Sequence, residues 1–467
     1  MSYINKKLIE LNNYLKNRKV AIIGLGVSNL PLLDYMHNVG AKVTVFDNRI
    51  IEDIPKDTMK KITDYAMEFS LGPNNLSKLE GFDIIFRSPS CLPTVPELQK
   101  EVERGAILTS EIEMLMKLCP GKVIGVTGSD GKTTTTTLIY EILKANGYNC
   151  YLGGNIGTPL FTKLEQMTPE DIIVLELSSF QLMGMEISPS ISVITNISPN
   201  HLNVHSSYEE YIDAKKNIFK YQDKGGIVVL NYDNAITKSA AKEANGKVVF
   251  FSSKTKLEDG IILDGDIIKE CKDKLRRHIL STNTVALRGT HNYENICAAI
   301  AATKTLVDVE DAVKAVKNFK GVQHRLEFIR EIDGVKWYND SIASSPSRTI
   351  AGLKAFNQKI VLIAGGYDKH IPYDVMGPYL MDKVKLMILV GTTAPKLREA
   401  AENEAKSRGV QTMPIVEFEN LKDAVMYAKE NTSNGDVVAM SPASASFDLY
   451  KNFMVRGEYF KQLVNEL

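Results

Sequence analysis

A glycine-rich loop that carries a lysine and a threonine is the strongest chemical signal in the sequence. The string GSDGKT occupies residues 128–133, between an apolar run at 122–126 and a stretch rich in threonine. In such a loop, backbone amides and a helix N-terminus surround phosphate oxygens, Lys132 supplies positive charge, and the Thr133 hydroxyl can bind Mg²⁺. The longer P-loop pattern is incomplete because Val126 stands at its first glycine. The strand–loop–helix context favours a phosphate site over a chance glycine-rich turn.

A carboxylate at the end of an apolar run is the second candidate. Residues 172–175 are Ile, Ile, Val and Leu, and Glu176 follows them. P-loop proteins that hydrolyse nucleotides place a metal-binding acid at the end of a neighbouring strand. An acid that merely ends a strand is the alternative. The string LSSFQ at 177–181 adds small polar side chains to the same crevice and favours metal binding.

Two histidines follow the predicted strand at 191–195. His201 and His205 are spaced so that a helix would place both on one face as zinc ligands. However, Pro199 interrupts the approach, and no third histidine or cysteine lies nearby. We therefore favour a loop histidine near Mg²⁺ or phosphate over a zinc pair, with a surface histidine as the remaining alternative.

An amphipathic helix is predicted at 208–219. It contains Lys215 and Lys216, and residue type alone assigns both to the solvated face of the helix. Only a family comparison gives Lys215 another role.

A second glycine-rich loop lies near the N-terminus and has the spacing of a dinucleotide site. Gly24 and Gly26 follow a predicted strand at 19–23, and Asp47 ends the next strand. The match is partial because Asn29 replaces the third glycine of the fingerprint. Backbone amides at a helix start suit a diphosphate. Two such loops predict two phosphorylated ligands, one of them a nucleoside triphosphate.

The elements that must position these residues follow one pattern along the chain. Short apolar runs alternate with amphipathic helices, which predicts βαβ units and an α/β fold. We place a Rossmann-like domain at 1–112, a central P-loop mononucleotide-binding domain at 113–323 and a second Rossmann-like domain at 324–467. The charged stretch at 254–280 predicts a hairpin or a surface excursion. Predicted strands lie at 19–23, 42–46, 83–86, 122–126, 171–175, 191–195, 335–338, 359–364, 385–390 and 436–440.

Composition limits the classes of function. The chain has 467 residues, with 56 Lys plus Arg and 56 Asp plus Glu. Zero net charge argues against coating nucleic acid or an anionic membrane, since both need a basic surface. Apolar runs are strand-sized, far below the roughly 20 residues of a membrane helix. The polar start predicts no signal peptide, and an odd number of cysteines without C-x-x-C predicts reduced thiols in a cytoplasmic protein.

Taken together, these residues resemble the Mur ligases, which are ATP-dependent amide-forming ligases of peptidoglycan synthesis. The resemblance spans nearly the whole chain. It rests on GSDGKTT at 128–134, GNIG at 154–157, LELSSFQL at 175–182, NHL at 200–202, AK at 214–215, GTHNYEN at 289–295, QHRLE at 323–327, YNDS at 338–341 and SPASASFD at 441–448. LELSSFQL and the SPASASFD…KNF ending point to the family member that adds D-glutamate to UDP-N-acetylmuramoyl-L-alanine through an acyl phosphate.

The resemblance implies a ligand for each domain. Contacts to the UDP substrate are expected from Gly26, Val27, Ser28, Asp47, Asn48, Arg49, Ser88 and Asn155. Contacts to ATP are expected from Gly128, Ser129, Asp130, Gly131, Lys132, Thr133, Thr134, Asn292, Asn295, Arg325 and Asp340. Contacts to D-glutamate are expected from Ser344, Lys369, Ser446 and Phe453.

The resemblance also implies two Mg²⁺ sites. Their ligands would be Thr133, Glu176, His201 and a carbamylated Lys215. The catalytic residues would be Lys132, Glu176, His201 and Lys215. The expected partners are the two substrates alone, without nucleic acid or membrane insertion, and we expect a monomer.

The sequence departs from the family pattern at several positions. Ser129 and Asp130 replace Thr and Asn in the phosphate loop, and Asn200 replaces an aspartate. Ile342 stands where the family has the lysine of NDSKATN, so no role is carried to that position.

Three alternatives stay open. The chain could be another Mur or folylpolyglutamate-type ligase with a different amino acid. It could be an NAD-dependent oxidoreductase that uses the loop at 24–29. It could be a sensor that binds ATP or UDP-sugars without catalysis.

Overall fold

A computed structural model describes residues 3–199, 204–287, 289–368 and 371–467. Strands gather into three sheets with helices between them, and the predicted α/β fold class is confirmed. Residues up to Phe319 form one compact unit, and Lys320–Leu467 form a second. The domain limits at 112/113 and 323/324 stay a prediction.

The first sheet has five parallel strands in the order β3-β2-β1-β4-β5. Its strands are β1 (Lys19–Ile23), β2 (Lys42–Asp47), β3 (Glu68–Leu71), β4 (Ile84–Arg87) and β5 (Ile107–Thr109). Its helices are α1 (Lys6–Leu15), α2 (Leu30–Val39), α3 (Lys56–Asp64), α4 (Pro96–Glu103) and α5 (Glu111–Leu118). Strand order reverses between β1 and β4, and ligands bind beyond the carboxyl ends at such a switch point.

The second sheet has nine strands in the order β14-β13-β12-β11-β10-β9-β6-β8-β7. Its strands are β6 (Lys122–Thr127), β7 (Cys150–Gly154), β8 (Ile172–Glu176), β9 (Ile191–Ile194), β10 (Ile227–Asn231), β11 (Lys247–Ser252), β12 (Gly260–Asp264), β13 (Ile267–Lys272) and β14 (Leu275–Ser281). Its helices are α6 (Lys132–Ala145), α7 (Ser179–Leu182), α8 (Tyr208–Lys220), α9 (Ala235–Ala240), α10 (Thr290–Thr303) and α11 (Val309–Asn318). Because β6 lies between parallel neighbours β8 and β9, the loops that follow these three strands meet at one edge.

The third sheet, in the second unit, has the order β15-β16-β20-β17-β18-β19. Its strands are β15 (Glu327–Ile332), β16 (Val335–Asn339), β17 (Ile360–Ala364), β18 (Val384–Val390), β19 (Ile415–Phe418) and β20 (Val437–Met440). Its helices are α12 (Pro346–Lys354), α13 (Gly377–Lys383), α14 (Ala394–Arg408), α15 (Leu421–Glu430) and α16 (Phe453–Glu466). Only β15 pairs antiparallel, so the carboxyl ends of β16, β20 and β17 meet at one edge.

Two further predictions from the sequence, on the charged stretch at 254–280 and on the cysteines, agree with the structure. The charged stretch at 254–280 forms β12, β13 and β14, which pair antiparallel at the end of the second sheet. All five cysteines lie within the described ranges and are free thiols. None of the described helices has the length and apolar character needed to span a bilayer. Short 3-10 helices lie at Ile51–Asp53, Asn75–Lys78, Phe161–Gln166, Ala241–Glu243, Thr282–Thr284 and Asp374–Met376.

Candidate active site

The loop between β6 and α6 needs glycine at two positions. Gly128 has a φ of +149° and Gly131 a φ of +77°, a region that side chains with a Cβ rarely adopt. A Cβ on Gly128 would overlap Oγ1 of Thr195, and one on Gly131 would overlap Oδ1 of Asn295. The chain therefore passes close under the loop that follows β9 and against α10, with no room for larger residues.

Hydrogen bonds fix this phosphate loop to the residues after β9. The backbone amide of Ser129 donates to the carbonyl of Asn196 at 2.9 Å, and that of Asp130 donates to the Asn196 side chain at 3.0 Å. The Ser129 hydroxyl lies 2.9 Å from the Tyr211 hydroxyl on α8. The first amides of α6, including those of the buried Thr133, have no acceptor inside the helix and suit an anion.

Lys132, the first residue of α6, folds back over the loop. Its Nζ donates to the carbonyls of Gly128 and Ser129, each at 2.9 Å. The ammonium group therefore lies directly beside the amides that a phosphate would contact. The next residues, Thr133 and Thr134, are buried at the helix start.

Glu176 ends β8 with one carboxylate oxygen engaged and one bare. The residue is 2% exposed. Oε1 accepts a hydrogen bond of 2.7 Å from Nδ2 of Asn155, whose backbone amide donates to the Glu176 carbonyl at 2.8 Å. Oε2 is buried and has no hydrogen-bond partner among the described residues. A buried carboxylate oxygen without a donor is costly, and a cation would compensate it.

Lys215 on α8 lies inside the protein, next to the phosphate loop. It is 2% exposed. Its Nζ donates to the Gly128 carbonyl at 2.8 Å and to Oγ1 of Thr127 at 3.3 Å, and it stands 4.8 Å from the ring centre of Tyr211. Lys215 and Lys132 thus share one acceptor, the Gly128 carbonyl.

The surroundings of Lys215 disfavour its charged form. Burial, and then the nearby positive charge of Lys132, lower the pKa of Lys215 well below its usual value, against the opposing charges of Glu176 and Asp130. The solvated-face expectation from residue type is therefore wrong for Lys215. Lys216 behaves as expected, because its ammonium pairs with Glu243 at 2.7 Å on a partly exposed surface.

Of the two candidate histidines, one can be placed. His205 is 3% exposed, so the surface alternative is wrong for it. Nε2 lies 2.9 Å from the Ser179 hydroxyl and Nδ1 lies 3.4 Å from a Glu210 oxygen, while burial lowers the pKa of His205. His201 lies outside the described residues. Within those residues, no group of three or more His, Cys, Asp and Glu side chains could hold a metal.

The candidate ATP residues on α10 pack against the phosphate loop. Oγ1 of Thr135 donates to Oδ1 of Asn295 at 3.3 Å, and Nδ2 of Asn295 donates to Oδ1 of Asn292 at 3.4 Å. Asn295 is buried beside Gly131, so it supports the loop from behind.

The N-terminal loop at the β1–β4 switch point is held by an asparagine. Nδ2 of Asn29 donates to the carbonyls of Ile23 at 2.9 Å and Gly24 at 3.1 Å. Gly24 has a φ of +84°, and a Cβ there would lie 2.6 Å from the Ser88 hydroxyl after β4. Val27 at the loop tip is 75% exposed, and the space beside Gly26 is open. Ser28 lies in the same loop, half-buried.

Asp47 at the end of β2 connects this loop to an arginine. Its Oδ2 accepts a hydrogen bond of 2.7 Å from the backbone amide of Leu25, and Arg49 donates to both carboxylate oxygens at 2.8 and 2.9 Å. Burial alone would raise the pKa of Asp47, but these hydrogen bonds outweigh burial and lower it. The neighbouring Asn48 is exposed.

In the second unit, Asp340 follows β16 and is buried. It accepts hydrogen bonds from the Ser441 hydroxyl at 2.6 Å and from the Leu326 amide at 3.1 Å. Burial raises the pKa of Asp340 to about 7, against the hydrogen bonds and the charges of Arg325 and Arg348. Asp340 and Arg325, both predicted ATP contacts, are therefore electrostatically coupled.

A buried arginine that the sequence did not indicate is linked through Ser341 to one candidate amino-acid residue, Phe453. Nε of Arg456 donates to the Ser341 hydroxyl at 3.1 Å, and that hydroxyl donates to the Phe453 carbonyl at 2.7 Å. The carbonyl of buried Ser446 accepts from the Tyr450 amide at 2.7 Å. Ser344 follows in the loop after β16, and Lys369 lies outside the described residues.

A glycine-rich phosphate loop with its lysine, together with an acid at the end of a neighbouring parallel strand, is typical of P-loop nucleotide-binding proteins. Three family models match the chain: the MurD-like N-terminal domain of Mur ligases over residues 18–110, the Mur ligase middle domain over 126–303, and the glutamate ligase domain of Mur ligases over 324–444. The chain belongs to the Mur ligase family, as its motifs predicted.

Curated relatives are similar along the full length of the chain. A UDP-N-acetylmuramoylalanine–D-glutamate ligase of Acetivibrio thermocellus is 49% identical over 465 residues, covering 99% of this chain and 100% of the relative. The ligase of the same name from Ruminiclostridium cellulolyticum is 48% identical over 465 residues, with the same coverage.

Solved structures share the fold at low identity. UDP-N-acetylmuramate–alanine ligase MurC of Thermotoga maritima has a TM-score of 0.56 at 18% identity, covering 96% of this chain and 99% of that one. MurF of the same organism, solved in complex with ADP, has a TM-score of 0.52 at 18% identity, covering 97% of each chain. These likenesses confirm the three-domain fold that was expected.

Proposed function

We propose that this chain is an ATP-dependent ligase that joins D-glutamate to UDP-N-acetylmuramoyl-L-alanine in peptidoglycan precursor synthesis. Full-length relatives at 46–49% identity are UDP-N-acetylmuramoylalanine–D-glutamate ligases by name, which supports this substrate pair. The observation that carries the chemistry is the cluster at one sheet edge. There Lys132 and Lys215 both contact the Gly128 carbonyl, near the bare oxygen of Glu176.

Glu176 offers one buried oxygen to a divalent cation. Oε2 of Glu176 is buried without a donor, and Mg²⁺ prefers carboxylate and hydroxyl oxygens. We propose that Thr133, Glu176 and His201 would hold Mg²⁺ and that Lys215 would join them in a second site after carbamylation. Bound there, Mg²⁺ would offset the negative charge of two anions brought together.

The phosphate loop supplies the rest of the electrostatics. The amides of residues 128–134 would surround the phosphates of ATP, and the Lys132 ammonium would move from its carbonyl acceptors to the γ-phosphate. A carboxylate is a poor electrophile. Attack of the alanyl carboxylate oxygen on the γ-phosphorus, with loss of ADP, gives an acyl phosphate whose phosphate is a good leaving group. The amine of D-glutamate then attacks the acyl carbon, loses a proton, and expels phosphate.

Lys215 is suited to carbamylation because its environment favours the neutral amine. Only a neutral amine has the lone pair that attacks CO₂, which gives a carbamate anion and releases one proton. Burial and the charge of Lys132 lower the pKa of Lys215, which favours the reactive form more than in an exposed lysine. The product would place a carboxylate-like group beside the phosphate loop.

The remaining predicted contacts are divided among the UDP moiety, ATP and D-glutamate. The loop at 24–29, with Asp47, Asn48, Arg49 and Ser88, would bind the UDP moiety, and Asn155 would contact the same substrate. Asn292, Asn295, Arg325 and Asp340 would contact ATP. Ser344, Lys369, Ser446 and Phe453 would contact D-glutamate. We further propose a cytoplasmic monomer with two Mg²⁺ sites.

Phosphate release against a panel of amino acids tests the proposal. With ATP, Mg²⁺ and UDP-N-acetylmuramoyl-L-alanine, release should require D-glutamate and should not occur with L-glutamate, L-alanine or L-lysine. Release with another amino acid would assign the chain to a sibling ligase. Release that requires ATP and no nicotinamide cofactor would exclude the oxidoreductase, and no release with any amino acid would favour the sensor.

A further inference from the structure

Arg87 is a buried arginine that lies outside the predicted ligand contacts. It is the last residue of β4 and is 5% exposed. Such a side chain is rarely buried without partners, since removing a guanidinium group from water is costly. The hydrogen-bond partners of Arg87 therefore indicate its structural role.

The guanidinium group donates to backbone carbonyls on two elements. Nη1 donates to the Cys91 carbonyl at 3.1 Å, in the loop that follows β4. Nη2 donates to the carbonyls of Met183 at 2.5 Å and Phe180 at 3.3 Å. Phe180 lies within α7, and Met183 is its C-terminal cap. Arg87 thus connects the first sheet to the helix that follows the Glu176 strand.

On the α7 side, the bonds satisfy carbonyls that a helix end leaves free. The helix begins three positions after Glu176, and a capping box between Ser178 and Gln181 closes its start. The path from Arg87 to the candidate metal ligand is therefore short and rigid. Gly184, which follows α7, packs closely against Pro93 in the loop after β4. This contact adds to the connection that Arg87 makes between the first sheet and α7.

On the β4 side, the next residue belongs to the candidate UDP site. The amide of Ser88 donates to the Ile23 carbonyl at 2.9 Å, and its side chain lies against Gly24. The Ser88 hydroxyl is 2.9 Å from that of Ser90. Any displacement of Arg87 would therefore shift the glycine loop relative to Glu176.

We propose that Arg87 is a positioning residue that fixes the UDP-substrate loop at 24–29 relative to the Glu176 metal site. The inference rests on the proposed function, because it assumes that one substrate spans both places. Its role is to hold the alanyl carboxylate in line with the γ-phosphate, without touching either substrate. The planar fork of arginine reaches carbonyls on two elements at once, whereas a lysine donates only from a single atom and spans less.

Steady-state kinetics of Arg87→Gln and Arg87→Lys test the inference. A misplacement of about 1 Å can cost about 100-fold in rate. We expect Arg87→Gln to lower kcat by that factor, while KM for ATP and for the UDP substrate each change by less than about three-fold. Arg87→Lys should recover part of kcat.

Asn217→Ala is the matched control. Nδ2 of Asn217, on α8, donates to the Leu182 carbonyl at 3.0 Å. The variant therefore also removes a hydrogen bond from the end of α7, but it leaves the contact between α7 and the first sheet in place. It should lower kcat by less than about five-fold if connection to the UDP loop is what matters. A melting curve for each variant shows whether it is folded. If Arg87→Gln does not fold, the kcat of Arg87→Lys is compared with that of the control.

The outcomes separate the inference from the function beneath it. If the wild type does not release phosphate with D-glutamate, the proposed function fails. The inference is overturned if the wild type is active and Arg87→Gln has the same kcat as Asn217→Ala. The same comparison is made with Arg87→Lys if Arg87→Gln does not fold. A rise in KM for the UDP substrate with kcat retained would also overturn it, since Arg87 would then act in binding alone.

Discussion

The two glycine-rich loops, at 24–29 and 128–133, each contain a glycine with a positive φ, but their surroundings differ. The first is held by Asn29, and its nearest strong charges, Asp47 and Arg49, neutralise each other. The second has two lysines on one carbonyl, Lys132 and Lys215, and a carboxylate oxygen without a donor.

The difference separates binding from chemistry. A loop with paired charges can orient a diphosphate without changing its reactivity. A buried carboxylate oxygen without a donor, as at Glu176, is costly in the free protein, and a bound cation would offset that cost. The Lys132 ammonium at the second loop would stabilise charge that develops on a phosphate. We therefore expect substitutions at the first loop to change KM and substitutions at the second to change kcat.

The largest expected effect is that of Lys132→Ala. Removing the only side-chain cation of the GSDGKT string should lower kcat by at least about 1,000-fold, because phosphoryl transfer depends on charge stabilisation. Phosphate release measures kcat. Titration calorimetry should show UDP-substrate affinity within about three-fold of wild type, and a larger loss of affinity would contradict the separation of the loops.

Lys215→Ala comes next. We expect kcat to fall about 100-fold and to rise about ten-fold when acetate or another short carboxylate is added, because the added anion replaces the carbamate. Lys216→Ala is the control, since that neighbouring lysine pairs with Glu243 on the surface. Full activity of Lys215→Ala would contradict the carbamate assignment.

Asp47→Asn should act on binding alone. The variant loses the ionic contacts that orient Arg49 and the Leu25 amide, so KM for the UDP substrate should rise about ten-fold with kcat nearly constant. Asp34→Asn is a control on helix α2, where the partners affected are the partly exposed Lys61 and Tyr65. A fall in kcat with unchanged KM would contradict the claim that the first loop acts on binding alone.

Stability of the Asp47 variant should depend on pH in a defined sense. The pKa of Asp47 is lowered from its ordinary 3.8, so the stabilising contribution is complete above that value and is lost as the pH falls through the folded pKa. In urea unfolding, the difference in free energy of unfolding between wild type and Asp47→Asn should persist at about pH 7 and about pH 5 and shrink below about pH 4.

Asn29→Ala should have the smallest effect on activity and act mainly on stability. Two backbone carbonyls lose their donor, which should lower the free energy of unfolding by about 1–3 kcal/mol in urea. Asn29→Gly completes the dinucleotide fingerprint. We expect it to bind no nicotinamide cofactor by fluorescence titration, and binding would revive the oxidoreductase alternative.

The strands could be predicted because their apolar runs are short and bounded by turns. The expected strand at 19–23 is β1, and the one at 42–46 is β2, which extends one residue further to Asp47. The helix predicted at 208–219 is α8, which ends at Lys220. Local periodicity determines such elements, so a single sequence is enough to find them.

The candidate site could be predicted only where a local motif carries it. Lys132 stands in a recognisable loop, whereas residue type placed Lys215 in solvent, and only the packing of α8 under β6 explains its burial. Arg87 and Arg456 gave no signal, because they donate to backbone carbonyls 93 and 115 residues away in the sequence. Tertiary contacts of this kind leave no local pattern.

The most direct test of acyl activation at the second loop is an isotope measurement. The alanyl carboxylate of UDP-N-acetylmuramoyl-L-alanine is labelled with ¹⁸O, and the phosphate released in the presence of ATP and D-glutamate is analysed by mass spectrometry. If that carboxylate attacks the γ-phosphorus, one labelled oxygen per turnover is found in phosphate. Phosphate without the label, formed together with the amide product, would contradict the account.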